Sequence, residues 1–130
     1  MSGGDPADVA RTFWRSIDAR DWDGAGRLLA EDAEIYWPHT GETIRGRGNY
    51  IGLNREYPEG WRIELIRVLS GEDCAAVEAR VPHESLGVSF VAAFYRISAG
   101  MISAGTEYWV DEASHRPPAW RRRYVNRPRE

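Results

Sequence analysis

The side chains of this 130-residue chain most able to do chemistry are few: three histidines, one cysteine and an unusual number of aromatic rings. His39 follows Pro38, where an unperturbed imidazole titrates near neutrality and could shuttle a proton at a pocket mouth. The bland alternative for the same residue is an exposed loop histidine. His83 and His115 stand at no metal-ligand spacing from His39, Cys74 or any carboxylate, so no metal is expected. Cys74 is the sole cysteine, which excludes an intrachain disulfide and fits a reducing compartment. The rings number six Trp, six Tyr and three Phe. Among them Trp14, Tyr36, Trp37, Tyr50, Phe90 and Trp109 could wall an apolar, enclosed ligand cavity, although aromatics at such spacings are by default packed core.

Charge narrows the partners. All seventeen basic residues are Arg and the formal net charge is -3, so no net positive field draws the chain onto nucleic acid or anionic membrane. Arg121, Arg122 and Arg123 beside Trp120 read as a solvated helix face. The longest apolar stretch, Phe90 to Tyr95, is far too short to span a bilayer, and the small polar N-terminus is no export signal. A cytoplasmic protein is the expectation.

The elements that must position these residues follow from periodicity. Asp5 and Pro6 form a cap and first-turn pair, and Val9, Phe13 and Ile17 recur at four-residue spacing, predicting a helix from about Pro6 to Arg20. Asp21 can cap a second helix carrying Trp22, Ala25 and Leu29, ending near Glu31 and Asp32. Glu34 to Trp37 reads as a short strand stopped by Pro38, with a loop from His39 to Gly48. Tyr50, Leu53 and Tyr57 mark one face of a third helix ended by Pro58 and Gly60. Four β-type segments follow as an antiparallel meander: about Arg62 to Leu69, Cys74 to His83, Gly87 to Ser98 and Met101 to Asp111. In the second of these, Val77, Ala79 and Val81 alternate with Glu78 and Arg80. The third is apolar on both faces through Val88, Phe90, Val91 and Phe94, so it should be central and covered twice, once by helices and once by a second copy in a homodimer. One domain is expected over 5–125, with residues 1–4 and 126–130 as flexible ends.

The element order, together with Asp21-Trp22-Asp23-Gly24, Leu28-Leu29-Ala30-Glu31-Asp32-Ala33, Ile44-Arg45-Gly46-Arg47 and above all Gly100-Met101-Ile102 with Thr106-Glu107-Tyr108-Trp109 and Asp111, resembles the SnoaL-like branch of the NTF2-like superfamily. The likeness covers roughly Val9 to Val125. It implies an α+β cone: N-terminal helices packed on a curved, mainly antiparallel sheet that encloses a pocket, usually in a homodimer. It also implies a carboxylate in the last strand, seven residues after the turn glycine, which serves as acid or base in the polyketide cyclases and limonene epoxide hydrolase. That position is Glu107 here. A carboxylate facing aromatic walls loses hydration, which favours proton transfer near neutrality; the competing assignment is a structural salt bridge.

Departures from relatives restrict the chemistry. Arg80 matches the arginine of the epoxide hydrolase motif, but Pro82 stands where its aspartate is expected, and Glu34 and Tyr36 replace the tyrosine and asparagine that hold its water. Trp37 takes the place of the ketosteroid isomerase aspartate base, and Phe13 that of its oxyanion tyrosine. The expectation is therefore a cofactor-independent acid/base enzyme of cyclase, isomerase or dehydratase type acting on a small hydrophobic carbonyl or polyketide-like compound. Its catalytic residues would be Glu107, Arg80 and His39, with Arg80 and Glu107 converging on one sheet face. A non-catalytic binder of a small hydrophobic molecule is the alternative.

Overall fold

A computed structural model describes residues 4–112 and 116–126, so His115 and most of the ends expected to be flexible lie outside the described residues. Helix α1, Pro6–Asp18, buries the expected stripe of Val9, Ala10, Phe13, Trp14 and Ile17. Asp5 does not cap it directly. Its Oδ1 instead accepts from Ser70 Oγ (2.8 Å), which in turn accepts from the Ala7 amide (2.8 Å), tying the helix start to the sheet. Arg20 turns the chain after α1 with φ of 61° and stacks its guanidinium 3.4 Å over the Trp61 ring while pairing with Glu59 (2.8 Å).

Helix α2 runs only Trp22–Arg27, capped by Asp21 through the Gly24 amide (2.9 Å). It is shorter than expected because Gly24 and Gly26 weaken it, and Leu29 belongs to the following strand. Strand β1 is Leu29–Trp37, and β2, Glu42–Arg45, folds back on it where a loop was expected. Helix α3, Arg47–Glu56, is followed by β3 (Glu64–Ser70), β4 (Cys74–His83), β5 (Gly87–Ser98) and β6 (Met101–Asp111), and a 3-10 helix spans Ala119–Tyr124.

The six strands form one sheet in the order β2-β1-β6-β5-β4-β3. Every pairing is antiparallel except β1 with β6, so β1 reaches the centre from the N-terminal half and sets its side chains beside those of β6. The curved sheet stays open, and α1 and α3 cover its inner face. That face carries Ala33 and Ile35 of β1, Ala75, Val77 and Ala79 of β4, and Val91, Ala93, Tyr95 and Ile97 of β5, all buried. The outer face carries exposed Tyr36, Phe90, Phe94, Tyr108 and Val110.

One irregularity decides what β6 presents. Ala99 and Gly100, both at positive φ (54° and 75°), make the tight β5 to β6 turn, and a bulge follows between the Arg96 and Ile97 pairings. Before it, Ile97 faces Ile102; after it, Ala93 faces Glu107. The extra residue reverses the inward parity of β6, bringing Glu107, Trp109 and Asp111 to the inner face.

Candidate functional site

Between α1, α3 and the inner sheet face lies a cavity of about 470 Å³. Its deep wall consists of Phe13, Trp14, Ile17, Tyr50, Trp61 and Glu107, all buried. Its rim opens to solvent past His39, Leu53, Tyr57, Leu86 and Asp111.

Glu107 is fully buried, yet no cation among the described residues touches it. Four neutral donors hold it instead. Trp37 Nε1 (2.9 Å) and Trp109 Nε1 (3.2 Å) donate to Oε1; the Tyr50 and Tyr95 hydroxyls, each at 2.6 Å, donate to Oε2. Trp14 Nε1 extends the network by donating to the Tyr95 oxygen (3.1 Å). A carboxylate has about four lone-pair directions, so these donors saturate it, and that is how a buried acid is accommodated without an ion pair.

The fold builds this cradle from five elements. Trp14 comes from α1, Tyr50 from α3, Trp37 from the last residue of β1, Tyr95 from β5, and Glu107 with Trp109 from β6. Small residues make the room. Ala93 lies opposite Glu107, and Gly105 lies opposite Tyr95, where an added Cβ would come within 2.5 Å of the Tyr95 ring. Edge contact of Phe13 with Tyr95 (centroids 6.3 Å, 74°) and a tilted one with Tyr50 (5.9 Å) fix both phenols.

Burial first, and then the nearby Glu107 charge, hold the Tyr50 and Tyr95 hydroxyls well above their ordinary value near 10. An unfolded chain lacks that protection. Raised folded-state values mean that the phenols' contribution to stability is complete below pH 10 and is lost as pH rises further, at up to about 1.4 kcal/mol per pH unit for each. Absorbance titration at 295 nm should therefore show Tyr50 and Tyr95 still protonated for as long as the protein stays folded. The two should ionise together with loss of the far-ultraviolet dichroism; ionisation of either before unfolding, assigned by comparison with Tyr50→Phe and Tyr95→Phe, would contradict the network.

Of the residues singled out from sequence, Glu107, Trp14, Trp37, Tyr50 and Trp109 line the cavity, and His39 stands at its rim against Trp37 (centroids 5.5 Å). Three do not. Arg80 sits on the outer face, where its guanidinium meets Glu64 on β3 (2.8 Å), so it does not converge with Glu107. Strand alternation forbids it: Ala79 and Val81 turn inward on either side. Tyr36 and Phe90 are likewise outward, flanked by inward Ile35 and Trp37 and by inward Val91. Sequence reasoning missed Tyr95 as a member of the cradle and Trp61, Ile63, Val81 and His83 as lining. His83 is committed to its own turn: Nδ1 accepts from the Ser85 and Leu86 amides, and Nε2 lies 2.9 Å from the Pro58 carbonyl.

Among the described residues no group of three or more His, Cys, Asp or Glu is placed to hold a metal, and no helix is long and apolar enough to cross a membrane.

Comparison with known proteins places this arrangement. A candidate ketosteroid isomerase from Kribbella flavida superposes with a TM-score of 0.86 at 29% identity, over 96% of this chain and 90% of that one. An NTF2-like protein of unknown function from Burkholderia xenovorans gives 0.75 at 21% identity, over 93% of each chain. An LEH-like epoxide hydrolase from M. tuberculosis gives 0.69 at 16% identity, over 81% of this chain and 82% of that one. A search of curated proteins finds no match. The model of the SnoaL-like domain matches residues 10–105, which include α1 from Ala10 onward, all of β1 to β5 and Tyr95 of the cradle, and on that match the chain belongs to the SnoaL-like family of the NTF2-like superfamily.

Proposed function

We propose that this protein binds a small hydrophobic molecule in the cavity above Glu107, without a cofactor, as a cytoplasmic homodimer. The observation that carries the reading is the saturation of Glu107. All four of its acceptor directions are occupied by Trp37, Trp109, Tyr50 and Tyr95, and among the described residues no second acid or base stands beside it in the deep part of the cavity. An acid/base catalyst needs an oxygen within reach of the proton it moves. Here the carboxylate organises the aromatic wall instead.

The test is a fluorescence titration with the uncharged dye N-phenyl-1-naphthylamine. It should bind saturably, one per chain, with energy transfer from tryptophan. Val81→Trp, which fills part of the cavity from the half-buried inner side of β4, should weaken it ~10-fold or more while the protein stays folded. Equal dye binding in that variant would place the dye elsewhere and remove the reading.

One observation favours an acid/base enzyme of cyclase, isomerase or dehydratase type as a second reading. The Trp109 bond is the longest of the four, and a carbonyl compound carrying an acidic proton could displace it to reach Oε1. Arg80 has no part in such a step, and His39 at the rim is the remaining proton carrier. On this reading Glu107→Gln lowers turnover of any identified substrate ~100-fold or more; unchanged turnover would exclude it.

A further inference from the structure

The sign of the charge around the cavity is one-sided. Every basic residue of the chain is arginine, and among the described residues none lines the cavity. Two carboxylates do. Glu107 at the floor and Asp111 at the rim project from the same face of β6 with Trp109 between them. Arg20 reaches the far side of Trp61, but its guanidinium is committed to Glu59 through two hydrogen bonds (2.8 and 3.0 Å) and to the Asp18 and Trp61 carbonyls. His83 is tied to its own turn, Nδ1 accepting from the Ser85 and Leu86 amides and Nε2 lying against the Pro58 carbonyl.

The hydrogen-bonding state of the floor restricts the ligand further. An anion would meet two carboxylates and no arginine. A ligand rich in N–H groups would find the Glu107 acceptors already taken, and a neutral acceptor at the floor would have to compete with a charged carboxylate for the same four donors, which leaves the buried Trp61 Nε1, without a partner among the described residues, as an open donor in the wall. A cation that needs no hydrogen bond avoids all three obstacles. It gains from the carboxylate charge through space and from ring faces around it. The indoles of Trp37 and Trp109 suit that role twice over, because donating N–H to a carboxylate pushes electron density into the ring and makes its faces more negative. Trp14, whose ring lies 6.2 Å from that of Trp109, adds a third indole to the same wall.

We propose that the ligand is a quaternary ammonium compound with an apolar body, its charged head among Trp37, Trp109 and Glu107 and its body against Phe13, Ile17 and Trp61. The proposal rests on the binding role given above and names the chemical class that role serves. Its test compares three probes of nearly the same shape by calorimetry: benzyltrimethylammonium, its uncharged carbon isostere neopentylbenzene, and phenylmethanesulfonate.

The cation should bind ~10-fold or more tightly than the neutral isostere, and the sulfonate should not bind at concentrations that saturate with the cation. In Glu107→Gln the cation's advantage over the neutral probe should fall to ~3-fold or less, and Asp111→Asn should lower it by a smaller factor. The wild-type comparison decides the matter whether or not the Glu107 variant folds. If the neutral isostere binds as tightly as the cation, selection for a cation is wrong while hydrophobic binding stands. If no probe binds, both readings fall.

Discussion

Glu107→Leu should cost the fold about 4 kcal/mol or more in urea denaturation, whereas Glu107→Gln should cost about 1 to 2 kcal/mol. Leucine is close in volume, so little of the loss would come from a void. It would come from four donors losing their acceptor at once. An unsatisfied buried donor costs about 1 to 3 kcal/mol, and water entering from the cavity could relieve Trp37 and Trp109 but not the buried Tyr50 and Tyr95 hydroxyls. Glutamine can keep the network. Its carbonyl oxygen can accept from both indoles, and its amide can donate to both phenol oxygens, which unlike an indole N–H can reverse their role. Against a total stability of about 5 to 15 kcal/mol, the leucine variant would be partly unfolded at room temperature. Loss of under ~1 kcal/mol in Glu107→Leu would show that the cradle is not what holds the inner wall together.

Phe94→Arg should convert a dimer into a monomer. Phe94 is 54% exposed on the outer sheet face, in edge contact with Tyr108 (centroids 6.2 Å), and Phe90 and Val110 continue the same patch. A row of large apolar side chains across two central strands has no cover among the described residues, and self-association about a two-fold axis is the simplest way to bury it. An arginine at its centre would place two like charges against each other across the axis, uncompensated and desolvated. Light scattering should give twice the chain mass of 14.8 kDa for the native protein and that mass for the variant. A native monomer at micromolar concentration would remove the dimer.

The parts of the site legible in sequence were those governed by simple alternation or helical spacing. The stripe of Val9, Phe13 and Ile17 placed Trp14 against the sheet, and the Val77, Ala79, Val81 pattern already put Arg80 on the far face. Assigning Arg80 to the pocket followed a family motif against that local signal, and the local signal was right. Tyr36 and Trp37 are adjacent in a strand and cannot share a face, so at most one could line a cavity. The bulge after Ile102 had no such signal. Counting outward from the Ala99-Gly100 turn without it pairs Glu107 with Ala92 and turns it to solvent, so the resemblance found what periodicity would have missed. Tyr95 was hidden by the same shift, since its partner Gly105 is recognisable only once the register is known. Strand β2 was read as loop because Ile44 is its single buried residue, too little for an alternating pattern.

The most direct test of the binding role is a two-dimensional nitrogen-proton spectrum that follows the six tryptophan indole N–H signals as N-phenyl-1-naphthylamine is added. Trp37 and Trp109 donate to Glu107 at the cavity wall, and Trp14 lies behind them, so their signals should move with one common saturation curve. Trp120, which is 71% exposed on the 3-10 helix, should stay in place. Movement confined to Trp120, or stationary Trp37 and Trp109 signals at saturating dye, would contradict a ligand above Glu107.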